Sequence, residues 1–273
     1  MIPIAAITQW QKNAPWTMSS QVEHDLLLSR ILVELFSNSF LSSKLAFRGG
    51  TALHKLFIKK AIRFSEDIDL VQLYPEPIGD TLGAIHDLIN PWMGQPKVKR
   101  SEGRATMVYR ALSEIENIPI SIKIEINTRD HNNLLPKITV PFSVNNKWFS
   151  GESQITTYQL EELMATKLRA LYQRKKGRDL FDFFAVIKEV GSLDLNQTIT
   201  CFEHYMQLCG SRVTKAQFQQ NLEQKRKSKI FNADMRALLP SNIIYNYDVE
   251  WTYKYLFDQI LSLLPGEPWK GLN

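Results

Sequence analysis

The sequence predicts an α+β protein made of a mixed α/β lobe over roughly residues 1–150 and a helical lobe over roughly 151–273. Three observations carry this. Ile118, Ile120, Ile122, Ile124 and Ile126 alternate strictly with mostly polar residues, which is the signature of a strand. Apolar residues around Gly49-Gly50 switch from strand to helix period, so the glycines sit at a strand-to-helix turn. Beyond Gly151 the apolar spacing is helical and strands largely stop.

Taken in order, Leu26, Leu27, Ile31, Leu32, Leu35 and Phe36 predict an amphipathic helix over Val22 to Phe36. Leu45 and Phe47 begin a strand; Ala52, Leu53, Leu56 and Phe57 return to helical period. Phe64 to Leu73 reads as a second strand, Lys97 to Leu112 as one more interrupted by a turn-like Arg100-Ser101-Glu102-Gly103, and Ile118 to Ile126 as the clearest. Helices are expected over Tyr158 to Lys175, Asp179 to Val190 and Leu195 to Leu208, with further segments to the end.

Composition narrows the function classes. At 273 residues and 44% hydrophobic content the chain can bury one large core or two modest ones. A formal charge of +5 favours an anionic partner, although the basic residues are interspersed with 28 acids. Cys201 and Cys209 fall in one predicted helix and support neither a disulfide framework nor a metal knuckle. Neither a secretory leader nor a stretch long enough to span a bilayer is read, so a soluble cytoplasmic protein without a membrane partner is expected. His24, His54, His86, His131 and His204 lack metal-ligand spacing, and no serine-hydrolase elbow occurs.

The chemistry-bearing residues fall into five groups. In Arg48-Gly49-Gly50-Thr51, two residues without Cβ let the backbone approach a phosphate at a helix start; the alternative is a tight turn with Thr51 as N-cap. Asp67 and Asp69, two apart on a strand, project from one face, where a divalent cation would relieve their repulsion. Glu125, on the polar face of the isoleucine strand, is a third metal carboxylate if that strand lies beside theirs, and otherwise a surface partner of Lys123. Lys167 falls inside the apolar stripe of Leu160, Leu163, Met164, Leu168 and Leu171, where it needs a structural carboxylate or a bound phosphate. Asp179 and Asp182, at i and i+3 after Gly177, favour a helix start and could brace that lysine.

The ordered blocks Arg48-Gly49-Gly50-Thr51-Ala52-Leu53, Arg63-Phe64-Ser65-Glu66-Asp67-Ile68-Asp69-Leu70, Lys123-Ile124-Glu125-Ile126, Glu161 through Leu171 and Arg178-Asp179-Leu180-Phe181-Asp182 resemble the AbiEii/AbiGii-type (MenT-like) nucleotidyltransferase toxins. That family belongs to the DNA polymerase β-like nucleotidyltransferase superfamily. The resemblance implies a polymerase β-like lobe with a mixed sheet, nucleotide binding by Arg48, Gly49, Gly50, Thr51 and Ser65, and Mg²⁺ or Mn²⁺ on Asp67, Asp69 and Glu125. It implies further that the helical lobe contributes Lys167 and Asp179 or Asp182 to a catalytic cleft. The implied reaction moves an NMP from an NTP to an acceptor, foremost the 3′ end of tRNA, as the toxin of a toxin–antitoxin pair with a possible antitoxin partner. Modification of a protein hydroxyl and a silent nucleotide- or antitoxin-binding module are the alternatives. Two expectations follow: Lys167→Met gives a stable, inactive protein, and Lys225-Arg226-Lys227-Ser228-Lys229, with Lys97, Lys99, Arg100 and Arg104, tracks an RNA backbone.

Overall fold

The computed structural model describes residues 2–234 and 238–271, which divide into a first unit up to Tyr158 and a second from Gln159. In chain order the first unit contains α1 (Ile4–Trp10), α2 (Ser19–Ser37), α3 (Ser39–Lys44), β1 (Leu45–Arg48) and α4 (Gly49–Ala52), which continues as a wide helical turn over Leu53–Phe57. Then come β2 (Asp67–Gln72), α5 (Gly79–Met93), β3 (Lys97–Ser101), β4 (Arg104–Leu112), β5 (Pro119–Asn127), β6 (Ile138–Asn145) and β7 (Ser150–Thr157). The second unit holds α6 (Leu160–Gln173), α7 (Gly177–Glu189), α8 (Leu195–Leu208), α9 (Lys215–Arg226), α10 (Lys229–Ala233), α11 (Ser241–Asn246) and α12 (Val249–Tyr255).

The strands form one mixed sheet in the order β3-β4-β5-β2-β1-β7-β6. Strand β2 lies antiparallel to β1 and parallel to β5, while β7 runs parallel to β1. Thr157 fastens that last junction by donating its hydroxyl to the Phe47 carbonyl at 2.7 Å. Period two decides the faces: Ile68, Leu70, Ile124 and Ile126 are at most 1% exposed, whereas Asp67, Asp69, Lys123 and Glu125, one residue out of phase, are half-buried. The long α2 covers the isoleucine side, with Leu26, Leu28, Ile31, Leu32 and Leu35 buried. Each large aliphatic side chain removed from water this way contributes about 1.5–3 kcal/mol. The sheet is therefore sided, with an oily face under α2 and a polar face carrying the acids.

Several expectations need correcting. Strands do not stop at Gly151: β6 and β7, the latter running to Thr157, complete the sheet. Strand β6 alternates Ile138, Val140, Phe142 and Val144, but Pro141 interrupts the pattern; as the edge strand it tolerates the missing N–H. Strand β7 hides in a polar run, turning Ser153, Ile155 and Thr157 inward. Lys97 to Leu112 is two antiparallel strands joined at Glu102-Gly103, where Gly103 takes φ +72°. Strand β2 starts at Asp67 rather than Phe64, because Phe64 leaves the sheet direction to pack edge-on against Trp16 and beside His24. Burial lowers the pKa of His24 to about 4, so that ring is neutral and belongs to the core.

Candidate active site

Register builds the polar face. Asp69 lies opposite Glu125 on β5 and opposite Arg48 on β1, and Asp67 lies opposite Lys123. The Glu125 strand is thus the immediate neighbour of the Asp67/Asp69 strand, which is the arrangement a third carboxylate requires. Going outward, Thr106 follows Glu125 and Lys99 follows Thr106, while Val108 and Lys97 continue the Asp67–Lys123 row.

The Gly49-Gly50 turn is shaped by Asp69. Gly49 holds φ +83°, a region costly for any residue with a Cβ, and a Cβ there would stand 2.4 Å from Asp69 Oδ2. Glycine is needed here so that the strand carboxylate can lie against the turn. Arg48, in extended conformation, is the residue before α4. Thr51 is inside the helix and donates its hydroxyl to the Asp67 carbonyl at 2.6 Å, so it is not the N-cap and its proton is committed to tying the turn to β2. Ser65, in the loop before β2, is buried and lines a cavity against α2.

Three carboxylates on one half-exposed face need positive charge. Lys123 Nζ lies 2.9 Å from Asp67 and 3.6 Å from Glu125, and Arg104 approaches Glu125 at 3.3 Å. Burial works against the Lys123 charge, but the hydrogen bond and charge of Asp67, then the charges of Glu125 and Asp69, outweigh it and hold the ammonium above the usual lysine pKa. Glu125 is thus both a neighbour of the aspartates and a partner of Lys123. Among the described residues no three His, Cys, Asp or Glu side chains are drawn around one point as a metal would draw them. Asp67, Asp69 and Glu125 nevertheless offer the hard oxygen donors that Mg²⁺ or Mn²⁺ prefers, and the Lys123 ammonium stands in as the cation between two of them.

In the second unit, Lys167 is 7% exposed and its Nζ lies 2.7 Å from Asp182 and 3.4 Å from Asp179, both wholly buried. Arg174 grips Asp179 with two bonds of 2.7 and 2.8 Å, a bidentate fork. The helical wheel placed Lys167 among apolar residues, and of the two partners weighed for it, a structural carboxylate or a bound phosphate, the structure supplies the carboxylates, which speaks against a stable Lys167→Met protein. The structure divides the basic run. Lys225 is buried and donates to the Leu171 and Tyr172 carbonyls at the end of α6, and burial lowers its pKa to about 8. Arg226 pairs with Glu250 and Glu223, and Lys227 lies 3.9 Å from Glu223, both remaining exposed, so of these three only Lys225 is withdrawn from the surface. Sequence reasoning passed over Lys123 as a site residue, although its place two residues before Glu125 on one strand face was the available signal. Arg174 gave none, being one cation within a charged run.

The model of the nucleotidyl transferase AbiEii toxin family, of type IV toxin–antitoxin systems, matches residues 30–259. The chain belongs to this family. Two solved structures share the fold. The MenT4 nucleotidyltransferase toxin from Mycobacterium tuberculosis superposes with TM-score 0.59 at 16% identity, over 95% of this chain and 99% of that one. JHP933 from Helicobacter pylori superposes with TM-score 0.56 at 17% identity, over 90% and 92%. No curated protein matches the chain significantly. Membership of the AbiEii family makes this chain a nucleotidyltransferase, and no helix among its described residues is long and apolar enough to cross a membrane.

Two substitutions test this geometry. Gly49→Ala pushes a methyl into Asp69; displacing that carboxylate by an ångström should lower nucleotidyl transfer on the order of 100-fold, and wild-type turnover would show that the turn does not position it. Lys167→Met leaves Asp182 and Asp179 buried without its charge and should destabilise the protein by about 3–5 kcal/mol in denaturant unfolding. An unchanged midpoint would restore the account in which the lysine faces an open cleft.

Proposed function

We propose that the protein transfers a nucleoside monophosphate from an NTP to the 3′ end of an RNA, with tRNA the favoured acceptor, as the toxin of a toxin–antitoxin pair. The observation that carries this reading is the alignment of Asp67, Asp69 and Glu125 on one sheet face beside the Gly49-Gly50 turn. The acceptor hydroxyl attacks the α-phosphorus, the bond to the β-phosphate oxygen breaks, and pyrophosphate leaves. A divalent cation held by Asp67 and Asp69 supplies charge neutralisation for the triphosphate and the attacking oxygen. The residues of the chain orient and balance charge: Gly49 and Gly50 give the triphosphate close access to backbone N–H groups, and Arg48 adds a cation beside Asp69. Lys123, between Asp67 and Glu125, balances the charge of the acids that would hold the cation.

RNA is favoured over protein as acceptor by the outer part of the same face. Lys97 and Lys99 on β3 and Arg104 on β4 are exposed; the register puts the two lysines in rows that continue those of the acids, and Arg104 in the adjoining row, opposite Asn127. A phosphate backbone can lie along that basic margin with its end at the carboxylates. Asp179 is assigned a scaffold role because Arg174 already grips it.

The test is transfer of label. Purified protein with Mg²⁺ and each α-labelled NTP in turn, given total RNA or cell protein, should label small RNA. Asp69→Asn should lower that labelling on the order of 100-fold or more. Label in protein would establish a protein-modifying enzyme instead, and no transfer with any acceptor would leave a nucleotide- or antitoxin-binding module.

A further inference from the structure

Within the second unit a pocket of about 530 Å³ is lined by the end of α9 and by the segment from Asp248 to Asp258. Its charge runs against that of the chain. Glu223, Asp248, Glu250 and Asp258 line it together with two cations, Arg226 and Lys254, whereas the whole sequence carries a formal +5. Arg226 pairs with Glu250 and Glu223, and Asp248 uses one oxygen to accept the Trp251 N–H at 2.8 Å as the cap of α12. Asp258, exposed on the helical turn after α12, has no ion-pair partner among the described residues.

Acids alone would make a solvated rim; the second observation is Tyr253. Its side chain lines the pocket and is 3% exposed, and its hydroxyl has no hydrogen-bond partner among the described residues. Burial raises the pKa of that hydroxyl, and the charges that act on it are those of Glu250, Arg226 and Glu223, which line the pocket, so the oxygen lies on the charged side of the ring. A buried hydroxyl left unpaired costs free energy, which a donor in the pocket would recover. The aromatic surface here already holds cations: the Arg226 guanidinium stands 5.8 Å over the Tyr253 ring and Lys188 Nζ 3.8 Å over Trp251. Half-buried Phe257 adds an apolar wall. Carboxylates interleaved with aromatic surface suit a ligand that interleaves ammonium groups with methylenes. A bare divalent cation fits less well, because among the described residues no three acids converge on one point.

We propose that this pocket is a non-catalytic site for a linear aliphatic polyamine, with one ammonium at Asp258, another toward Glu250 and the Tyr253 hydroxyl, and the methylenes between them against Phe257. The site includes none of the residues assigned above to nucleotidyl transfer, so it stands apart from that reaction. A bound polyamine joins the acid of α9, Glu223, to those of the segment around α12 and stabilises the folded protein by mass action.

The test is calorimetric titration of the full chain with spermidine at low salt, which should show saturable binding. Asp258→Lys, at an exposed position, should weaken it about tenfold. Tyr253→Phe should weaken it severalfold while leaving the unliganded protein at least as stable, since the unpaired hydroxyl is gone. The full chain carrying Asp67→Asn and Asp69→Asn should bind as the wild type does. Butylamine, with one ammonium, and Mg²⁺ should both bind far more weakly than spermidine. The proposal is overturned by a lack of saturable binding at millimolar spermidine, by indifference to either substitution in the pocket, or by butylamine or Mg²⁺ binding as tightly as spermidine. Binding that disappears in the double aspartate variant would also overturn it, since the polyamine would then sit on the acid face.

Discussion

Two carboxylates of like charge held on one strand face are the constraint around which the first unit is arranged. Asp67 and Asp69 cannot turn away from each other, because Ile68 and Leu70 between and beside them are locked into the core under α2. Their repulsion must be met by charge brought from outside β2, and the sheet delivers it by register. Parallel pairing with β5 puts Lys123 opposite Asp67, and antiparallel pairing with β1 puts Arg48 opposite Asp69. Gly49 completes the arrangement by leaving room for the Asp69 oxygen that any side chain would occupy. A one-residue slip of β2 would bury both aspartates and expose both apolar neighbours, so the oily face and the acid face specify each other.

Much of this was legible in the sequence, because period two is a local property. The alternation of Ile118 through Ile126 marked β5, and the Asp67-Ile68-Asp69-Leu70 pattern marked the two faces of β2 without knowledge of any partner strand. Which strands pair is not local, and that limited the reading. The role of Glu125 stayed open until β5 was seen beside β2, and Thr51 read as a cap because nothing in its neighbourhood shows that the Asp67 carbonyl approaches it. Strands β6 and β7 escaped for different reasons. Pro141 breaks one pattern at an edge where a missing N–H does no harm, and the other is buried through serine and threonine as well as isoleucine.

Charge was the least legible property. The net charge of +5 suggested an anionic partner, yet several cations of the second unit are paired with neighbours inside it, and Lys167 and Lys225 are buried. Lys225 satisfies carbonyls at the end of α6, and Arg226 and Lys227 meet Glu250 and Glu223. Lys167 and Arg174 neutralise Asp179 and Asp182. A lysine in a linear run and a lysine capping a helix look alike in sequence; burial separates them, and burial depends on contacts distant along the chain. The basic residues that remain on an exposed sheet face, Lys97, Lys99 and Arg104, are the ones whose placement suits a phosphate backbone.

The central claim is that the Asp67/Asp69 face is a divalent-cation site whose resting charge is supplied by Lys123. The most direct measurement is Mn²⁺ binding by electron paramagnetic resonance on the wild type, on Asp69→Asn and on Lys123→Met. The account predicts saturable binding to the wild type, loss of that binding in Asp69→Asn, and tighter binding in Lys123→Met, where no ammonium competes for the carboxylates. Manganese bound equally well by the wild type and Asp69→Asn would place the metal elsewhere and contradict it.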